Sequence, residues 1–235
     1  MNAVILAGGL GTRLRERAPD LPKAMAPVAG RPFLEYVLDS LLAGGICQVL
    51  LSVGYRSSEI IQHFGHRYGD ITIRYCVEAE PLGTGGAIAY ALSDEPEEAA
   101  LVMNGDTFLD IDYRGLLRWY EAGPSRLAMV LRSVPDVARY GAVLTSGERV
   151  VGFAEKGKAG PGLINAGMYV VQPGIFAASG LSGKFSFEVD LLQHHCQALQ
   201  PRAYVTDAYF IDIGVPPDFD RAQRELPERV TTPRP

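Results

Sequence analysis

Two cations and a run of glycines stand out among the residues that could do chemistry. Leu6 and Ala7 close an apolar run, Ala3–Ala7, which opens into Gly8, Gly9, Gly11 and Thr12, with Arg13 and Lys23 within one loop's reach. Glycines let a backbone approach a ligand closely, and successive free N–H groups form an anion cradle. With an Arg and a Lys added, the stretch has the make-up of a site for a nucleoside triphosphate. Its spacing is neither GxxxxGK[ST] nor GxGxxG, so neither a P-loop nor a dinucleotide fingerprint is present. A second set of candidates is acidic. Asp106 follows the apolar run Ala100–Met103 within Asn104-Gly105-Asp106, and a carboxylate just beyond a parallel strand points into the ligand crevice. Asp212 lies in Phe210-Ile211-Asp212-Ile213-Gly214, where an unpaired buried charge would be costly and a cation partner removes the cost. Two carboxylates together with phosphate oxygens are a fitting donor set for Mg2+. The plain structural alternatives are a turn-forming Asp106 and an Asp212 that caps a following helix.

Placing these groups takes a sizeable α/β framework. The 235 residues are 47% hydrophobic, enough for a substantial core. Apolar runs at Ala3–Ala7, Val49–Val53, Ile71–Val77, Ala100–Met103 and Leu127–Leu131 read as strands. Between them, Phe33–Leu42, Ser57–Phe64 and Thr84–Leu92 have helical spacing, the first ending at the stop signal Gly44-Gly45. This alternation predicts βαβ units and a mixed, mostly parallel sheet flanked by helices. Beyond it, shorter strands at Ala142–Leu144, Val150–Glu155 and Ile164–Val171 precede helices at Phe187–Leu199 and Pro217–Leu226. The expected organisation is one domain over 1–226, with a nucleotide half at about 1–125, a second half at about 126–226, and a flexible polar tail at 227–235.

Composition excludes several classes. Net charge is −5 with no basic run, which argues against a nucleic-acid partner. No stretch of 18 apolar residues is present and the N-terminus lacks a basic-then-apolar leader. A cytoplasmic protein with no membrane contact is expected, and a homo-oligomer is compatible with the sequence. Cys47, Cys76 and Cys196 are odd in number and far apart, which suits reduced core thiols rather than disulfides or a zinc site. The four histidines have no metal spacing, and His194-His195 read as surface or packing residues.

The motif LAGGLGTRLR…PKAMAPVAGRPFLEY over residues 6–36 resembles the signature of the sugar-1-phosphate nucleotidylyltransferases, over about residues 1–226. Three later segments, at 80–87, 184–188 and 209–216, are similar within that family to guanylyltransferases acting on D-glycero-D-manno-heptose 1-phosphate. The resemblance implies a Rossmann-like nucleotidyltransferase fold, GTP and a sugar 1-phosphate as substrates, and Mg2+ on Asp106 and Asp212. It implies catalytic roles for Arg13 and Lys23 on the phosphates of the nucleotide. It further implies that Glu155 contacts sugar hydroxyls, that Lys156 meets the 1-phosphate, and that Asn104, Asn165, Tyr140 and Gly141 border the sugar. Ser186 and Glu188 fit the sugar's far end, although Ser186 is equally a helix cap.

Base choice has a physical handle. Relatives that use uridine or thymidine triphosphates tend to carry a Gln about six residues before the Thr of the Gly83-Thr84 pair, and this chain has Glu78 there. A carboxylate accepts from the adjacent N1–H and N2–H2 of guanine but has no proton to give a pyrimidine. Glu78 therefore points to GTP, with Gly83 and Thr84 bordering the base. Mannose 1-phosphate is the alternative sugar phosphate. Two other classes stay open at this level: a metal-dependent glycosyltransferase, through the DxD form of Asp110-Ile111-Asp112, and a non-catalytic nucleotide-sugar sensor. A sensor would be expected to have lost a cation or a carboxylate, and here Arg13, Lys23, Asp106 and Asp212 are all retained.

Overall fold

A computed structural model describes residues 2–9, 21–95 and 98–230. It divides into two compact units that are interleaved along the chain. The first comprises Met1–Pro81, Met103–Arg114 and Tyr209–Pro235, and the second Leu82–Val102 and Gly115–Ala208. The expected boundary near residue 125 thus falls inside the second unit.

In the first unit the strands Ala3–Leu6, Gln48–Val53 and Ile71–Val77 run parallel, with Ala3 opposite Val49 and Val49 opposite Ile73. Ala3, Val4, Ile5, Leu51 and Val53 are fully buried, which is why these strands read as unbroken apolar runs rather than alternating ones. The short strand Arg67–Tyr68 closes the edge antiparallel to Ile71–Val77. Helix Phe33–Ala43 buries Phe33, Leu34, Tyr36, Val37, Leu38 and Leu41, the face that its spacing predicts. It stops at Gly44, and Gly45 takes φ +82°, the left-handed conformation that ends a helix. Helix Ser57–Phe64 lies where expected. Among the elements too short to carry a periodic signal are the three-residue strands Thr107–Leu109 and Phe210–Asp212, which form an antiparallel ribbon. Helix Pro216–Arg229 follows, with proline in its first turn. It continues to Arg229, so the first residues of the expected tail are helical.

In the second unit Gly162–Val171 pairs antiparallel with Leu127–Val134, and Arg202–Thr206 pairs with the same strand in parallel. Ala142–Ser146 and Arg149–Ala154 form a hairpin. Helix Gly83–Leu92 begins one residue before the expected start. The expected single helix Phe187–Leu199 is corrected. It is a π-helix over Phe187–Gln193 followed by a short α-helix, Cys196–Leu199. The bonds Leu191 N to Ser186 O and His194 N to Val189 O, both 3.3 Å, span five residues. That wider turn still buries Phe187, Leu191, Leu192 and Cys196 on one face, so the apolar pattern is served by an uncommon geometry that recurs at functional sites. His194 is exposed and His195 half-buried. None of the three cysteines forms a disulfide, and only Cys196 is buried; Cys76 is half-buried and Cys47 exposed, which corrects their reading as core thiols. Among the described residues, no helix is long and apolar enough to cross a membrane.

Candidate active site

The glycine stretch begins directly at the end of the first strand. Ala7 N–H donates to Ser52 O at 2.8 Å, which keeps the chain on the sheet up to Gly8. A side chain at Gly8 would meet Glu78 Oε1 and Gly54 N, each at 3.1 Å, whereas at Gly9, which is exposed, it would meet nothing within 4 Å among the described residues. Gly8 is therefore a close-packed position and Gly9 opens outward. Gly11, Thr12 and Arg13 lie outside the described residues. Glu78 continues from strand Ile71–Val77 through its N–H to Val53 O, 2.8 Å, and Ser52 Oγ donates to Glu78 Oε1 at 3.1 Å. The Glu78 carboxylate is thus turned toward Gly8 and the neighbouring strand end. Ser52 is a fully buried polar residue set between the apolar Leu51 and Val53 of its strand.

The second part of the first unit's site is built by the short ribbon. Gly105 N–H donates to Leu6 O at 2.9 Å, and a side chain at Gly105 would lie 2.6 Å from that oxygen. The turn after strand Ala100–Asn104 is pressed onto the first strand, and only glycine fits. Asp106 leads into Thr107, the register partner of Asp212, while Ile213 N–H donates to Asp106 O at 3.0 Å. Two acidic residues distant in sequence thereby become neighbours. Lys23 opens a 3-10 turn anchored by buried Ala24 and Met25. Its Nζ donates to Asp106 Oδ2 and lies 3.9 Å from Asp212 Oδ1. The three side chains are only 18%, 31% and 29% exposed, so this cation meets the burial cost that the Asp212 sequence context implied. Asp212 Oδ1 also accepts from Gly214 N–H at 2.7 Å. Asn104 Oδ1 is buried without a hydrogen-bond partner among the described residues.

Gly214 is a site residue that sequence reasoning passed over. A Cβ there would sit 2.5 Å from Lys23 Nζ and 2.7 Å from Asp212 Oδ1. Gly214→Ala is expected to displace the lysine head and lower turnover by about tenfold or more, as for a catalytic group shifted by an ångström. Unchanged kcat in a folded Gly214→Ala protein would show that the lysine has room to move.

In the second unit the candidate residues form two clusters. Tyr140 and Gly141 both donate their N–H to Val137 O at 2.9 Å, and Gly157 N–H donates to Ala138 O. A side chain at Gly141 would lie 2.9 Å from Ala154 O and 3.5 Å from Lys156 Cγ. Tyr140-Gly141 thus runs beside Glu155 and Lys156, which are exposed just past strand Arg149–Ala154. The other cluster surrounds Glu188. Thr84 Oγ1 donates to Glu188 Oε2 at 2.6 Å, Ser186 Oγ at 3.3 Å, and Tyr169 OH to Oε1 at 3.4 Å. Asn165 Nδ2 donates to Tyr169 OH at 2.7 Å. Ser186 also caps the π-helix, accepting from Val189 N–H. Gly83 packs against Phe185 O, where a side chain would approach to 2.5 Å. Gly83 and Thr84, expected beside the base, belong to the second unit.

The profile of the Nucleotidyl transferase family matches residues 2–229. The chain belongs to the nucleotidyl transferase family. It is accordingly a nucleotidyltransferase, and the sensor and glycosyltransferase readings fall away. The chain is 44% identical over 226 residues to the D-glycero-alpha-D-manno-heptose 1-phosphate guanylyltransferase of Aneurinibacillus thermoaerophilus, covering 96% of this chain and 98% of that one. It is 44% identical to the enzyme of the same name from Campylobacter jejuni, covering 93% of this chain and 97% of that one. Its fold matches the crystal structure of HddC from Yersinia pseudotuberculosis complexed with GMP-PN, with a TM-score of 0.84, 36% identity, and coverage of 96% and 99%. Nucleotidyltransferases of this kind generally use a divalent metal ion. The residues present fit one: Asp106 and Asp212 already converge on a single cation, the Lys23 ammonium. Among the described residues no cluster of three or more His, Cys, Asp and Glu side chains could cage a metal. Two hard oxygen donors suit a cation that draws its remaining ligands from phosphates and water.

Proposed function

We propose that this protein transfers GMP from GTP to D-glycero-α-D-manno-heptose 1-phosphate, giving the GDP-sugar and pyrophosphate. The observation that carries the reaction is the Lys23 ammonium set between two carboxylates that the ribbon brings together. The choice of GTP and heptose rests on the relatives' substrates and on Glu78. An oxygen of the sugar phosphate forms a bond to the α-phosphorus as the bond from that phosphorus to the pyrophosphate oxygen breaks. Both reactants are anions, so the protein's work is to align them and neutralise charge.

Each residue has a role on this reading. Backbone N–H groups from Gly8, Gly9, Gly11 and Thr12 cradle the triphosphate, and Leu6 and Ala7 lead into that loop, the Ala7 N–H being held by Ser52 O. Arg13 and Lys23 neutralise the α-phosphate and the leaving pyrophosphate, Arg as a planar fork and Lys as a point charge. Asp106 and Asp212 would hold Mg2+, which when bound supplies further neutralisation of phosphate oxygens. On the sugar side, Lys156 takes the 1-phosphate, while Asn104, Tyr140, Gly141, Glu155, Asn165, Ser186 and Glu188 position the sugar. Both substrates are water-soluble, which suits a cytoplasmic enzyme.

Pyrophosphate release across a panel of sugar 1-phosphates, mannose 1-phosphate included, and four nucleoside triphosphates tests the proposal. GTP with the heptose phosphate is expected to have the highest kcat/KM. Preference for UTP or for another sugar phosphate would overturn the corresponding half. A sharper test addresses the base. Glu78→Gln replaces an acceptor-only carboxylate by an amide, so one accepted guanine N–H faces a donor instead. That mismatch is worth about 1–3 kcal/mol, and the ratio of kcat/KM for GTP over UTP is expected to fall by about tenfold or more. An unchanged ratio would leave Glu78 as a packing partner of Ser52 and Gly8.

A further inference from the structure

Thr84 lies in the segment expected to border the base, yet its hydroxyl is engaged elsewhere. It gives its one proton to Glu188 Oε2 at 2.6 Å and accepts from Phe187 N–H at 2.9 Å. A hydroxyl has a single donor and two lone pairs, so its proton and one lone pair are both committed within this cluster. The backbone around it is fixed the same way. Gly85 N–H donates to Phe185 O at 3.0 Å and Phe185 N–H to Leu82 O at 3.0 Å, which binds the start of helix Gly83–Leu92 to the start of the π-helix.

Glu188 is the group these contacts serve. Three hydroxyls from three elements reach its carboxylate: Thr84 from a helix, Tyr169 from strand Gly162–Val171, and Ser186 from the turn before the π-helix. Their lengths rank them. Ser186 and Tyr169, at 3.3 and 3.4 Å, are long for an O–H···O bond, whereas 2.6 Å is the length of a charge-assisted one. Thr84 therefore sets the carboxylate's position. Tyr169 couples it to Asn165, accepting from Asn165 Nδ2 at 2.7 Å. Its ring is fully buried and meets Phe187 edge-on with centroids 4.9 Å apart, so the phenol cannot swing away. A carboxylate has about four acceptor positions, and three hydroxyls leave one for a ligand hydroxyl.

We propose that Thr84, supported by Tyr169, is a positioning residue for the sugar phosphate, acting through Glu188, and does not read the base. This rests on the proposed guanylyltransferase activity. Initial rates with GTP and heptose 1-phosphate, each varied in turn, test it in Thr84→Val and Thr84→Ser. In Thr84→Val the KM for heptose 1-phosphate is expected to rise about tenfold or more, the worth of a hydrogen bond to a charged group, with the KM for GTP unchanged. Thr84→Ser keeps the hydroxyl and is expected to restore the wild-type value. A rise in the GTP KM alone would place Thr84 on the nucleotide, and no change in either KM would show that Glu188 does not depend on it; both overturn the proposal. Should Thr84→Val fail to fold, Thr84→Ala, which removes the hydroxyl without the second branch, carries the same test: the sugar-phosphate KM rises alone, and any other pattern overturns it. Wild-type protein that releases no pyrophosphate with any pairing is a distinct result, and it removes the parent reading as well.

Discussion

Asp106→Asn and Asp212→Asn are each expected to lower kcat by roughly 10²–10³-fold, the range for losing one key electrostatic group from a water-poor site. Asn is the informative replacement. Asp212 Oδ1 accepts from Gly214 N–H, and an amide oxygen can accept that bond as well, so the backbone around the site has no reason to shift. What is lost is charge. With one carboxylate gone, the pair facing Lys23 becomes a single ion pair, and a divalent cation would lose half of its protein ligands. The Mg2+ concentration for half-maximal rate is expected to rise in both variants. Turnover near wild type in a protein with an unaltered circular dichroism spectrum would remove that residue from the metal site.

Lys23→Ala is expected to lower kcat by about 10²-fold or more while leaving the KM for the sugar phosphate within a few-fold, because its charge acts where negative charge moves in the transition state. Lys156→Ala is expected to do the reverse, raising that KM with a smaller effect on kcat. If the two variants exchange patterns in steady-state kinetics, the two lysines have been assigned to the wrong substrates. Lys23→Arg is not expected to rescue. The Gly214 position leaves so little room that a single methyl there would lie 2.5 Å from Nζ, and a guanidinium is far larger than an ammonium.

Much of this site can be read from residue types alone, because each signal there is local. Buried parallel strands give continuous apolar runs, a helix stop gives Gly44-Gly45, and Asp106 marks a strand's C-terminal end. Asp212 among apolar neighbours demands a cation, although that Lys23 supplies it is seen only in the structure. What stays hidden in the sequence is whatever depends on distant partners. Three-residue strands such as Thr107–Leu109 have no period to detect, so the pairing of Thr107 with Asp212 leaves no local trace. Gly105 and Gly214 stand beside the acidic residues in plain view, but the atoms that forbid a side chain there, Leu6 O and Lys23 Nζ, come from elsewhere in the chain. Ser52 offered a signal, a polar residue within an apolar strand. Tyr169 offered none, since a tyrosine in a buried strand reads as packing. The π-helix is hidden for a related reason: its apolar residues suit an α-helix nearly as well.

The ribbon of Thr107–Leu109 with Phe210–Asp212 also fixes when in the life of the molecule its chemistry can begin. At ordinary rates of synthesis, on the order of ten seconds separate the emergence of Asp106 from that of Asp212. Throughout that interval the nascent chain holds the glycine stretch, Lys23 and Asp106, yet on the proposed reading it lacks the second carboxylate. Closing so long a loop is a late and slow event compared with forming the local βα elements. On that reading a half-made chain on the ribosome cannot yet assemble the pair of carboxylates. Catalytic competence, on the same reading, arrives only with the strand that carries Asp212, however early the rest of the site is in place.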